Sequence, residues 1–171
     1  ANFTDAYSDI IKASSWDQYG HRYNKTLLES SFINSDDAGP FSCWTGDAGC
    51  YNRIRRQNEF LRDAPNYVGK FGENFIKVRS AEVRFIRAFA YYRLIRVYGG
   101  VVIRTNVDGP DQNDKARVSE AESWAQVIED LKFAGENLPA SWDNNGRITK
   151  AAAYGMLSRA ALYAKEWNLV T

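Results

Sequence analysis

The 171 residues carry 22 basic and 21 acidic side chains, a net charge of +1 at neutral pH, with 44% hydrophobic and 14% aromatic residues. Near-neutrality leaves no electrostatic excess for gripping a nucleic-acid backbone, no apolar run approaches the roughly 20 residues of a spanning helix, and two cysteines with one histidine cannot complete a Cys/His zinc set. What remains is one globular domain, long enough to bury a core, with an aromatic content suited to thick helix packing or to stacking on carbohydrate.

Apolar residues recur three and four apart and alternating runs are missing, so the chain reads as all-α. A first helix is expected over Phe3–Ala13 and a shorter one over Tyr23–Ile33. After the loop "NSDDAGPFSCWTGDAG" comes a helix over Tyr51–Arg62, closed by "DAPN". A long helix over Val68–Tyr98 follows, stopped by the C-cap pair Gly99 and Gly100. The polar connector "GGVVIRTNVDGPDQNDKARVS" is long for a helical domain and marks a surface or functional segment, with Val101–Ile103 extended. A helix then begins at Ser119 or Ser123 as N-cap, with Trp124, Val127, Ile128, Leu131 and Ala134 as its apolar stripe. Leu138 and Pro139 end it, "SWDNNGRI" turns, and Thr149 caps a last helix "KAAAYGMLSRAALYAKEW". Successive helix pairs predict a tetratricopeptide-like α-α superhelix.

The most strongly patterned stretch is "SAEVRFIRAFAYYRLIRVYGG", Ser80–Gly100. At about 100° per residue from Arg79, Phe85, Phe89 and Tyr92 fall at roughly 220–280°, and Val83, Ile86, Ala90, Leu94 and Val97 at roughly 340–60°. That arc exceeds half the circumference, so the helix is expected to be covered on at least two sides. The arginines disperse around it, which argues against a nucleic-acid face. Arg93 and Arg96 enter the arc and need carboxylate partners if buried, with Glu129 and Asp130 as one source.

Enzymatic constellations are thin. His21 is the single histidine and has no nucleophile motif beside it, and the adjacent Asp36 and Asp37 lack a second acidic pole for glycosidase work. "SWDNNGR" puts Ala152 where a calcium loop needs a bidentate Glu. No metal and no cofactor is expected.

Four stretches together resemble the SusD/RagB family. "AEVRFIRAFAYYRLIRVYGGV" is similar to its AE-x-RF-x-RA…YGG helix, and "RVSEAESWAQVIEDLKFA" to its R-x-(S/T)-x-x-E…I-x-x-DL-x-x-A helix. "GRITKAAAYGMLSRAALYAKEW" resembles its GR-x-(T)K…W stretch, and "CYNRIRRQNEFL" its Y-x-x-I-x-x-x-N-x-(F/L)-L. Val83 and Val102 stand where the family often has Ala and Pro. The resemblance implies a single SusD-like helical domain over residues 1–171, as the N-terminal part of a longer protein. It also implies surface exposure on the outer membrane of Bacteroidetes-type bacteria through a lipid anchor upstream of this sequence. The implied function is non-enzymatic: capture of an oligosaccharide or polysaccharide, or of peptides in the RagB branch, for a SusC-like TonB-dependent transporter. The alternative is a helical-repeat interaction module that binds a transporter or peptide rather than sugar.

In similar proteins the region of residues 32–49 helps to form the glycan site, which makes Asp36, Asp37, Phe41, Trp44 and Asp47 the candidate ligand-binding residues. An exposed indole offers an apolar face to a pyranose ring, and carboxylates accept from vicinal hydroxyls. The competing reading makes Trp44 a core anchor of the loop and the aspartates turn caps. In an exported protein Cys43 and Cys50 either close a small disulfide loop or are two buried thiols.

Overall fold

The computed structural model describes residues 49–109, 114–143 and 146–170. They are helical, with no strand among the described residues. The two helices expected ahead of residue 49 lie outside them.

Helix α1 spans Cys50–Asp63, and Ala64–Tyr67 form a 3-10 turn that carries Pro65 at its start, where a missing N–H costs nothing. The expected long helix is in fact two, α2 over Val68–Phe71 and α3 over Glu73–Tyr98. Gly72, at φ 84° and ψ 151°, breaks the run. A side chain resists that backbone conformation, and Gly72 accepts it because it has none.

Helix α3 stops at Gly99 (φ 67°), whose N–H donates to the Ile95 carbonyl at 2.8 Å. Gly100 is required for a different reason: a Cβ there would stand 2.2 Å from the Val118 carbonyl oxygen. The returning end of the connector is therefore pressed against the start of it, with Val118 N–H on the Val101 carbonyl at 3.0 Å.

Helix α4, Glu120–Asn137, opens with a capping box in which Ser119 accepts from the Glu122 N–H and the Glu122 carboxylate accepts from the Ser119 N–H. All five residues of its expected stripe are buried. Helix α5, Lys150–Ala164, is capped by Thr149 as expected, but ends three residues short of Trp167. There Lys165 turns left-handed (φ 63°), and a 3-10 turn over Trp167–Leu169 follows.

Packing is sequential: α1 on α3, α3 on α4, α4 on α5. Each helix answers chiefly to its neighbours, as in a helical-repeat array. One shared core sets Ala81 of α3 against Ala134, Leu138 and Ala153, ringed by Phe85, Phe133, Trp142 and Ile148. Gly135 lets α4 and α5 approach so closely that a Cβ would lie 2.8 Å from the Tyr154 ring.

Helix α3 is covered by α1 and α4, so it is flanked on two sides as its phasing predicts. Its buried face, however, holds Ala81, Arg87, Ala88, Ala90, Tyr91, Tyr92, Leu94 and Ile95, an arc of roughly 20–220° on the same wheel. Ile86, Phe89 and Val97 are 41–44% exposed. The wheel weighs an arginine as polar, and this one has a buried carboxylate waiting for it. Arg96 is exposed; Arg87 is the buried arginine, and Asp130 is its partner.

Candidate functional site

Asp36, Asp37, Phe41, Cys43, Trp44 and Asp47 lie outside the described residues. Their C-terminal flank is described. Cys50 is 1% exposed at the first turn of α1, and the next residue, Tyr51, reaches across to the connector.

There a set of polar side chains grips the connector backbone. The Tyr51 hydroxyl donates to the Val102 carbonyl at 3.0 Å and accepts from the Val102 N–H at 3.1 Å. Two residues on, the Tyr91 hydroxyl does the same to Arg104, at 2.9 and 2.7 Å. Each phenol thus satisfies both backbone groups of one residue, as a neighbouring strand would. Burial raises both hydroxyls above their ordinary value, so both keep the proton they donate.

Asn58 of α1 sits beside them, 2% exposed. Its amide donates to the carbonyls of Arg104 and Asn106 at 2.9 and 3.0 Å, and its oxygen accepts from Arg87 Nη1 at 2.8 Å. Arg87 in turn forks onto Asp130, Nε to Oδ2 and Nη2 to Oδ1, both at 2.7 Å. Arg87 is 3% and Asp130 0% exposed. A buried charge pair is tolerable only when its hydrogen bonds are met, and here the bidentate fork, Asn58 and the Thr105 carbonyl meet them. Three helices, α1, α3 and α4, converge on one stretch of connector.

Its base is strapped as well. Ser123 Oγ accepts from the Val101 N–H, and Arg117 donates to the Gly100 and Tyr98 carbonyls. Further out, Asp108 receives Lys115 Nζ at 2.8 Å and Arg104 Nη1 at 2.7 Å. Lys115 first, then Arg104, holds the Asp108 carboxyl below its ordinary value.

Of the clamp residues the sequence reading names Asp130, as a partner for Arg93 or Arg96 rather than Arg87, and Ser123, as an N-cap; Tyr51, Asn58 and Arg87 are not singled out, yet a signal exists. Asp130 falls on the apolar face of its helix, three past Val127 and four before Ala134, and Asn58 falls four past the buried Ile54. A polar residue in register with an apolar stripe asks for a buried partner.

Two aromatic clusters reach the surface, the second from a buried base of Tyr92 and Trp124. In one, Tyr67, Phe71 and Phe75 follow one another at 6.4 and 5.3 Å, and Arg79 lies over Phe75 and Trp142. In the other, Phe89, Tyr92, Trp124 and Tyr163 associate around Arg96. A cavity of about 400 Å³ opens beside the latter, between α4 and the turn at Glu166, with Trp124 and Ile128 in its wall.

The clamp is built from polar positions of three of the four sequence stretches, those over residues 50–61, 81–101 and 117–134. A family of SusD-like proteins, described as starch-binding and associating with the outer membrane, matches residues 2–162. The chain belongs to the SusD-like family. A SusD-like protein of Bacteroides ovatus is 35% identical over 89 residues, covering 52% of this chain and 16% of that protein. The crystal structure of a SusD-like protein from Bacteroides fragilis superposes with a TM-score of 0.65 at 36% identity, covering 71% of this chain and 24% of that one. A laminarin-binding SusD-like protein, at 24% identity, shares the fold over 98% of this chain with a TM-score of 0.75. The chain spans between 16% and 36% of the length of these relatives. Within this SusD-like chain, Tyr51, Asn58, Arg87 and Asp130 each come from a different position of the recognised stretches and meet at one place.

Proposed function

We propose that the protein is a non-enzymatic glycan-binding component of an outer-membrane nutrient-uptake system that works with a TonB-dependent transporter. The observation that carries this reading is the match of residues 2–162 to a family described as starch-binding and outer-membrane-associated. The clamp supports it in kind: it is a device for holding backbone still, and its members are engaged with one another rather than poised for proton transfer. Among the described residues no helix is long and apolar enough to cross a membrane. In this reading attachment to the membrane is through a lipid anchor and the protein faces the cell exterior.

Binding is assigned to the segment of Asp36, Asp37, Phe41, Trp44 and Asp47, with Trp44 stacking on a sugar ring and the carboxylates accepting from its hydroxyls. That segment runs into Gly49 and Tyr51, so the clamp on Val102 anchors its exit. Affinity electrophoresis of the full-length protein against a polysaccharide panel tests the reading. Trp44→Ala is expected to weaken the bound glycan at least about tenfold, as loss of one stacking platform does. Unchanged affinity removes Trp44 from the site.

A second reading, a module that docks a transporter or peptide and no sugar, draws on the exposed Tyr67, Phe71 and Phe75. Phe71 and Phe75 stack on one another, with Arg79 over Phe75 and Tyr67 tilted against Phe71, so much of their face area is already covered, a surface better matched to apolar side chains than to pyranoses. Binding of a transporter by a protein that retains no glycan favours it.

A further inference from the structure

The outward face of α3 carries charge that nothing in the described chain answers. Phe89, Arg93 and Arg96 stand three, four and seven residues apart on one helix surface, beside Tyr92, which is 4% exposed and forms the floor of the cluster. Tyr163 of α5 joins them, its ring edge-on to Tyr92 at 5.6 Å. The Arg96 guanidinium lies over both rings, 5.4 Å from Tyr92 and 5.7 Å from Tyr163. Arg159 of α5 is exposed and near enough, with Arg96, to pull on the Tyr92 hydroxyl, which burial and then Tyr163 raise. Phe89 and Tyr163 remain 44% and 48% exposed.

Elsewhere Arg55 meets Glu59, Arg62 meets Asp63, Arg87 meets Asp130 and Arg147 meets Glu82; Arg53 and Arg56 of α1 also pair with no carboxylate among the described residues, but no aromatic ring backs them. Among the described residues no carboxylate pairs with Arg93, Arg96 or Arg159. Glu120, the acid that touches this cluster, accepts from the Trp124 indole at 3.2 Å. A guanidinium resting on an aromatic face keeps its N–H edge turned outward and pre-oriented, the geometry that takes a planar anion by two parallel hydrogen bonds. Like charges gathered without a counter-charge repel one another, and an anionic ligand relieves that repulsion.

We infer that this face binds a polysaccharide bearing carboxylate or sulfate groups, with Arg96 and Arg159 engaging the anion and the Tyr163 and Phe89 rings resting against the sugar. This rests on the glycan-binding reading and adds to it the charge of the ligand and a second surface. Carboxylate and sulfate share the chemistry, and uronate and sulfated polymers separate them.

The test is affinity electrophoresis of the full-length protein in gels containing polygalacturonate, dextran sulfate or neutral laminarin. Wild type is compared with the Arg96→Gln/Arg159→Gln variant and with Arg96→Lys/Arg159→Lys. Both residues are exposed, and circular dichroism checks that the variants fold. Wild type is expected to be retarded by at least one anionic polymer, less so as salt rises. The glutamine variant is expected to lose about tenfold or more of that affinity. The lysine variant, with charge but no fork, falls between, and retardation by laminarin stays the same in all three. Anionic retardation unchanged in the glutamine variant overturns the inference. So does retardation by laminarin alone, which leaves the glycan-binding reading standing, whereas retardation by no polymer removes both. Capture of polyglutamate by wild type and not by the variant, without retention on either anionic polysaccharide, makes the face a protein interface and also overturns it.

Discussion

Arg87 and Asp130 hold the positions where a single atom change is expected to be felt most. Removing Arg87 leaves the fully buried Asp130 with only the more distant Arg84, at 3.6 Å, as a counter-charge, a loss approaching the roughly 3–5 kcal/mol of a broken buried pair. Arg87→Met is therefore expected to lower the denaturation midpoint of the full-length protein steeply. Arg87→Met combined with Asp130→Leu should recover much of the loss, because no charge is then left buried. A single-variant loss below about 1 kcal/mol in urea titration would mean the pair is solvated and the clamp is not closed. Asp108 makes a second prediction, through pH. Its carboxyl lies below the ordinary value of 3.8 because Lys115 and Arg104 favour the charged form. A depressed carboxylate stabilises the folded state above its unfolded value, and that contribution is lost as pH falls through the depressed one. Amide protection at Arg104–Gly109, taken against the intrinsic exchange rate at each pH, should thus hold from neutrality down to about pH 4 and fall below it. Asp108→Asn should abolish that acid-dependent step; an identical pH profile in the variant would deny Asp108 the role.

Residues 99–106 of the connector have no regular structure, yet side chains from three helices hold their backbone. The connector returns where Gly100 comes close to the Val118 carbonyl, and its first half hangs on Tyr51, Asn58 and Tyr91. Gly100→Ala puts a methyl group into a carbonyl that cannot leave without opening the loop. It should destabilise the protein more than Gly135→Ala, whose methyl meets the half-exposed ring of Tyr154, a group free to swing. Thermal melting of the two variants decides this, and equal losses would contradict it. At the start of α4, Ser119→Ala opens the capping box and is expected to cost about 1 kcal/mol. Periodicity and caps made these helices legible in the sequence: Ser119, Thr149 and Gly99 all sit at the boundaries their chemistry implies. The break at Gly72 was not legible, since an isolated glycine inside an apolar-periodic run is compatible with a continuous helix. Nor was the rotation of α3, because a hydrophobic wheel places Arg87 outside and Phe89 inside. It cannot know that Asp130, forty-three residues away, makes the buried arginine the better-satisfied choice. The residues proposed for the glycan, from Asp36 to Asp47, were legible only through resemblance, for a loop aromatic among aspartates has no periodicity to read.

At the scale of the molecule, the described helices pack in chain order and form a scaffold that directs polar side chains of three recognised stretches onto one connector and carries two aromatic clusters to the surface. The central claim is that the full-length protein binds a glycan and leaves it intact. Isothermal titration against a polysaccharide panel, with the recovered polymer sized afterwards, tests it in one measurement. The account predicts saturable binding to at least one polysaccharide and an unchanged chain length. Binding to a transporter or peptide with no polysaccharide retained, or a polymer that comes back shortened, would contradict it.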